Sequence, residues 1–132
     1  MLKIAFPFSE IGHTLHSPSG DVWDIITDTI RWPEWGPSII AVDCMDRYIR
    51  KGTRGRVKVS LGIWVPFVIT DFDDKRYWSW DIWGIHATGH RLEPLDECSC
   101  NIFFAVPTLA APYLFVCRIA IKQIEAILQH AT

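Results

Sequence analysis

AAPYLFVCRIAIKQIEAILQH, residues Ala110 to His130, reads as one amphipathic helix, and its two faces decide the fold. At 100° per residue, Tyr113, Val116, Cys117, Ala120, Ile124, Ile127 and Leu128 gather on one side. Arg118, Lys122, Glu125 and Gln129 gather on the other. One face therefore requires burial. The middle of the apolar stripe carries the small residues Cys117 and Ala120, which leave space above them unless large side chains from a partner surface fill it.

Working back from the helix, residues 39–106 supply that partner surface. Strand-type alternation broken by turn residues marks six candidates: Ile39–Asp43, Thr53–Trp64, Val65–Asp71, Arg76–Trp83, Ala87–Glu93 and Cys98–Val106. Arg50-Lys51-Gly52, Asp73-Asp74-Lys75 and Pro94-Leu95-Asp96-Glu97 supply turns between them. Alternation is clearest in Arg56-Val57-Lys58-Val59-Ser60-Leu61, where the apolar residues take one face and the polar ones meet water. Ahead of these, Ile4–His16 reads as a first strand. Ser17-Pro18 supplies an N-cap and a first-turn proline, with Asp21 in the first turn. Val22, Trp23, Ile25 and Ile26 form the apolar face of a short helix, and the prolines of Asp28–Ser38 hold Trp32 and Trp35 on a second short helix or turn.

The expected class is α+β: a curved antiparallel sheet of about seven strands gripping a long C-terminal helix, with two short helices after the first strand. Residues 1–132 are expected to form a single domain. A net charge of −2 and a pI near 6.2 offer no basic footprint, so nucleic acid is set aside as a partner. Residues 102–121 approach the length of a membrane span, but Pro107 and Pro112 interrupt them and no integral membrane segment is expected. Met1–Phe8 is cut short of a signal-peptide core, which points to the cytosol. Cys44, Cys98, Cys100 and Cys117 match neither a disulfide framework nor a zinc pattern and are expected as reduced thiols.

Several stretches resemble a known family. Ser17–Asp28 with Val22-Trp23, followed by Trp32-Pro33-Glu34-Trp35-Gly36-Pro37, is similar to the opening of the polyketide cyclase/dehydrase and lipid-transport group. Gly52-Thr53-Arg54-Gly55, Trp78-Ser79-Trp80 and His90-Arg91-Leu92-Glu93-Pro94 extend the similarity over nearly the whole chain, although Glu97-Cys98-Ser99 stands where such proteins often have glycine-threonine. The group lies in the START and birch-pollen-allergen-like helix-grip superfamily. The resemblance implies an apolar cavity between sheet and helix, with its entrance near the short helices and hairpin tips. It says little about function, because this superfamily spans carriers, receptors and cyclases.

Seven Trp, seven Phe and three Tyr exceed what a minimal core needs, so some of them either line a cavity or simply fill the core. The phase of Arg76–Trp83 decides one wall. Burying Trp78 and Trp80 gains ~1.5–3 kcal/mol or more each and avoids desolvating a carboxylate, so Trp80 is placed inside and Asp81 outside. The expected lining is then Trp64, Trp80, Tyr113, Val116, Cys117 and Ala120, with Trp35 near the mouth and His90 as a polar group. His86 and His90, four apart, share one face of a regular strand. A pair on the outer face is expected there, with a metal possible only if Asp81 comes within reach. No G-x-S-x-G, H-E-x-x-H or glycine-rich phosphate loop occurs, and no metal or cofactor is expected.

Three readings follow. The first is a binding protein or carrier for a small hydrophobic ligand such as a lipid, polyketide or other aromatic. The second is a polyketide cyclase or dehydratase using His90 or Asp81 as acid/base. The third assigns the tryptophans of Trp32–Trp35 to a protein or membrane-surface contact.

Overall fold

The structure, a computed structural model, describes residues 2–4 and 7–130. Eight strands form one antiparallel sheet: β1 (Leu2–Lys3), β2 (Phe8–Leu15), β3 (Ile39–Cys44), β4 (Arg54–Val59), β5 (Trp64–Asp73), β6 (Tyr77–Ile82), β7 (Ile85–Asp96) and β8 (Ser99–Pro107). Their order is β1-β2-β8-β7-β6-β5-β4-β3. The strand beyond the expected seven is β1, which pairs on the edge of β2 through Leu2–Ile11 and Lys3–Glu10. Of the expected first strand, Ala5 and Phe6 lie outside the described residues.

Among the described residues there are three α-helices, α1 (Ser19–Thr27), α2 (Trp32–Trp35) and α3 (Leu114–His130), with a 3₁₀ turn at Thr29–Arg31 between the first two. Pro18, not Ser17, occupies the cap of α1. No side chain caps this helix, and the Pro18 carbonyl accepts from the amides of Asp21 and Val22 instead. The C-terminal helix begins at Leu114 rather than Ala110, because Thr108–Tyr113 winds as a tighter 3₁₀ segment carrying Pro112. Its buried face is Leu114, Cys117, Ala120, Ile121, Ile124 and Leu128, close to the stripe read from the sequence.

Irregularities in pairing account for the bend of the sheet. Ile40, Thr70 and Leu95 are extra residues in their strands, and Ala87 with Thr88 together oppose Trp80. Each such bulge bends the strand and increases its twist. Four of them within β3–β7 fold that half of the sheet into a concave wall. Helix α3 lies mainly against β2, β8, α1 and α2, so it covers one half of the concavity and leaves the β4–β6 side less covered. His13 on β2 and Glu125 on α3 meet at 2.7 Å and tie the helix to that covered half.

The β4–β5 connection departs from the expected pairing. Ser60–Ile63 is a turn, with Gly62 at φ 85°, rather than the end of a strand reaching Trp64. Leu61 is consequently exposed, and Trp64 begins β5 opposite Lys58. Among the described residues, no helix is long and apolar enough to cross a membrane.

Candidate functional site

The interior has a closed end and an open end. At the closed end, Trp32 of α2 stacks on Trp78 of β6, with ring centroids 5.5 Å apart and planes 11° from parallel. Trp78 in turn stacks on His90 of β7 at 3.8 Å and 20°. Phe67 and Trp80 meet Trp32 edge-on at 5.3 and 5.2 Å. Gly55, opposite Phe67, makes room for this cluster, because a Cβ there would come within 2.9 Å of the Phe67 ring. Trp32 donates from Nε1 to the Ile26 carbonyl at 2.9 Å, and Trp35 to that of Ile25 at 3.3 Å. The indole N–H groups of Trp78 and Trp80 have no acceptor among the described residues, a cost of ~1–3 kcal/mol each that ring packing offsets.

Trp32 and Trp35 are therefore core residues, 0 % and 4 % exposed, and do not offer the surface contact considered from the sequence. Prolines around them set the chain's path, but the path leads inward.

The open end begins at His90. Its Nδ1 lies 3.2 Å from the Trp78 carbonyl. A carbonyl only accepts, so Nδ1 carries the proton and Nε2 keeps a lone pair, with no donor against it among the described residues. Burial pushes the imidazolium pKa down to about 3, against a smaller upward pull from the Trp78 carbonyl, so His90 is neutral across ordinary pH. Phe104 and Trp35 meet the ring edge-on or nearly so at 4.6 and 6.2 Å.

Around His90 lies a recess of about 40 Å³ bounded by α2, β6–β8 and α3. Every lining residue expected from the sequence contributes to it except Trp64. The recess opens toward a cleft of about 600 Å³ walled by Val57, Val59, Ile82 and Val106, with Leu109 and Ala110 opposite. Ser38, Ile39, Trp80, Thr88 and Tyr113 border both spaces. At that junction the hydroxyls of Ser38 and Tyr113 are 2.7 Å apart. Partial burial pushes the Tyr113 phenol upward, so it is un-ionised. Burial also pushes the Cys117 thiol up to about 12, making it a small neutral wall residue rather than a nucleophile.

Trp64 lies elsewhere. It is 40 % exposed on the convex face, where the Arg56 guanidinium sits 4.9 Å above its ring and pairs with Asp43 at 2.6 Å. Trp64 stands opposite Lys58 and shares the parity of Arg56 and Lys58, so the alternation of β4 already led outward, and the expected place in the lining ran against it.

The histidine pair is also split. Asp81 pairs with His86 across the β6–β7 ladder, and His90 pairs with Trp78. One extra residue between them reverses the side-chain phase, so His86 shares the face of Asp81 and His90 shares that of Trp78. His86 Nδ1 stands 3.5 Å from Asp81 Oδ1 at the lip of the cleft. Among the described residues, no group of three His, Cys, Asp or Glu is placed to hold a metal ion. Asp81 is outside and Trp80 inside, 8 % exposed, as the area argument required.

Thr88 and Ser38 belong to the site but were not singled out from the sequence. Alternation could have pointed to Val57, Val59 and Val106. Nothing local marks Ser38, whose partner lies 75 positions away.

No protein-family model matches the sequence, and none of the curated proteins does. Solved structures do match. A START superfamily protein from Mycobacterium smegmatis superposes with a TM-score of 0.75 at 14% identity, over 95% of this chain and 99% of that one. The chain has the START-like helix-grip fold. A protein from Arthrobacter aurescens gives 0.72 at 14% identity, covering 98% and 91% of the two chains. One from Nitrosomonas europaea gives 0.70 at 17%, covering 94% and 95%. At these identities the likeness is one of fold.

Proposed function

We propose that this chain, acting as one domain, binds or carries a small hydrophobic molecule between the sheet and α3. A lipid, a polyketide or another aromatic compound would suit the site. The observation that carries the reading is the cleft of about 600 Å³, whose walls are largely aliphatic and which narrows into the recess at His90. Its size falls within the ~300–1,000 Å³ of small-molecule sites, and apolar walls with a few polar groups are their usual chemistry. The START-like fold supports the same reading. The cytosol is the setting we propose, because four unpaired cysteines suit a reducing compartment.

A cyclase or dehydratase would need two ionisable groups converging on the ligand. His90 is neutral, Tyr113 and Cys117 beside it in the recess are un-ionised, and Asp81 turns to the opposite face of β6. The geometry therefore favours binding over acid/base chemistry.

Native mass spectrometry of the purified protein tests the proposal, with an apolar molecule of small mass expected to remain bound. Ala87 lines the cleft, so Ala87→Trp is expected to fill it and abolish that adduct while leaving the thermal transition close to wild type. An Ala87→Trp protein that retains the ligand in full would place binding elsewhere.

A further inference from the structure

We infer that the recess reads the end group of the ligand: it accepts an apolar molecule bearing an uncharged hydroxyl, an alcohol or a phenol, and turns away carboxylates and amines. This inference rests on the proposed cavity function and specifies its ligand class.

Three features carry it. The first is His90, 3 % exposed yet with one ring nitrogen unused. Its Nδ1–H is held by the Trp78 carbonyl, and its ring is stacked at 3.8 Å on Trp78. The imidazole cannot turn without losing both, so Nε2 is a fixed acceptor that needs a donor. A hydroxyl supplies one, whereas a carboxylate, an ether or a ketone does not.

The second feature is the electrical character of the walls. Among the described residues, no carboxylate, ammonium or guanidinium lines the recess, and Tyr113 and Cys117 are un-ionised. An anionic or cationic end group would be desolvated there with no counter-ion, which is the situation that buried charges avoid. Thr88, 7 % exposed, lines both spaces and offers a hydroxyl that donates as well as accepts. A ligand hydroxyl can therefore donate to His90 and accept from Thr88, using both of its capacities.

The third is size. A recess of about 40 Å³ admits the equivalent of a few waters, since one water needs ~10–15 Å³ by this measure. That is room for an end group and not for a ring system. The rest of the ligand must lie in the cleft beyond Ser38 and Tyr113, among aliphatic side chains.

Matched probes test this directly. Isothermal titration calorimetry at pH 7.5 compares 2-naphthol, 2-methoxynaphthalene and 2-naphthoate, which share a ring system and differ in the end group. The naphthol is expected to bind at least ~10-fold more tightly than either of the others, about one hydrogen bond's worth of discrimination. His90→Leu is expected to lower naphthol affinity to that of the ether and leave the ether unchanged. Thr88→Val, a smaller perturbation, should narrow the gap in the same direction. Because the wild-type comparison needs no variant, a folding defect in His90→Leu does not blunt the test. Equal binding of naphthol and ether, or tighter binding of the naphthoate, overturns the end-group reading and leaves the cavity standing. If no probe binds, both readings fall.

Discussion

The two ends of the interior are built from the same concave sheet face, yet one is solid and the other hollow. At the solid end, three strands contribute Phe67, Trp78, Trp80 and His90 to a cluster that Trp32 closes from α2. At the hollow end the strands contribute Val57, Val59, Ile82 and Val106, and among the described residues no tryptophan or phenylalanine from a helix descends to meet them, Tyr113 standing at the border with the recess. Aromatic rings span the distance between sheet and helix layer; valines do not. The contrast shows that rigidity and capacity are separated along the sheet. The packed end holds the wall in shape so that the other end can stay unfilled.

The sharpest way to break this comparison is Trp78→Ala. It removes the ring between Trp32 and His90 and is expected to cost ~3–5 kcal/mol in urea unfolding. A loss below ~1 kcal/mol would mean the cluster is not the solid part of the molecule.

Next comes the acid response of the same cluster. Unfolded histidine titrates near ~6.5, whereas burial holds His90 down at about 3. Between those values the unfolded chain binds the extra proton, so stability is full above the unfolded pKa and falls as the pH drops. This residue contributes a slope of up to ~1.4 kcal/mol per pH unit within that window. His90→Phe removes the titration, and its stability curve between pH 6.5 and 3 should be flatter than the wild type's by that slope.

The hollow end should respond far less. Val59 is only half buried on the cleft wall, so Val59→Ala is expected to cost no more than ~1 kcal/mol, because truncation there enlarges an existing space instead of opening a new one. The smallest effect belongs to the rim and has the opposite sign. Trp83 and Gly84 form the two-residue β6–β7 turn with φ of 55° and 76°, and Trp83 is 66 % exposed. Asparagine tolerates that left-handed conformation better than tryptophan, so Trp83→Asn is expected to stabilise by ~0.5–1 kcal/mol in thermal unfolding.

Much of the fold could be read in advance, and the reason is periodicity. The stripe of α3 and the alternation of β4 and β8 are local signals, and they gave the helix, the sheet and most residues around the recess. Trp80 inside and Asp81 outside followed from comparing burial areas. The misplacements have two causes, a period passed over and a break in period unseen. Trp64 shares the outer face of Arg56 and Lys58 that alternation already marked, whereas the extra residue at Ala87–Thr88 set His86 and His90 on opposite faces. Bulges arise from cross-strand pairing and leave little trace in the strand that contains them. The inward path of Trp32 and Trp35 was hidden for a similar reason, since their acceptors on α1 are fixed only by tertiary packing.

That extra residue has a further consequence. Ser79–Gly89 on one side of it and Asp81–His86 on the other are already in step with β6, so shortening β7 by Ala87 alone would leave every remaining side chain on its present face. Only the local bow of the strand would relax. The width of the mouth is thus encoded in chain length, and loss of a single codon retunes it while the pairings that hold the sheet stay as they are.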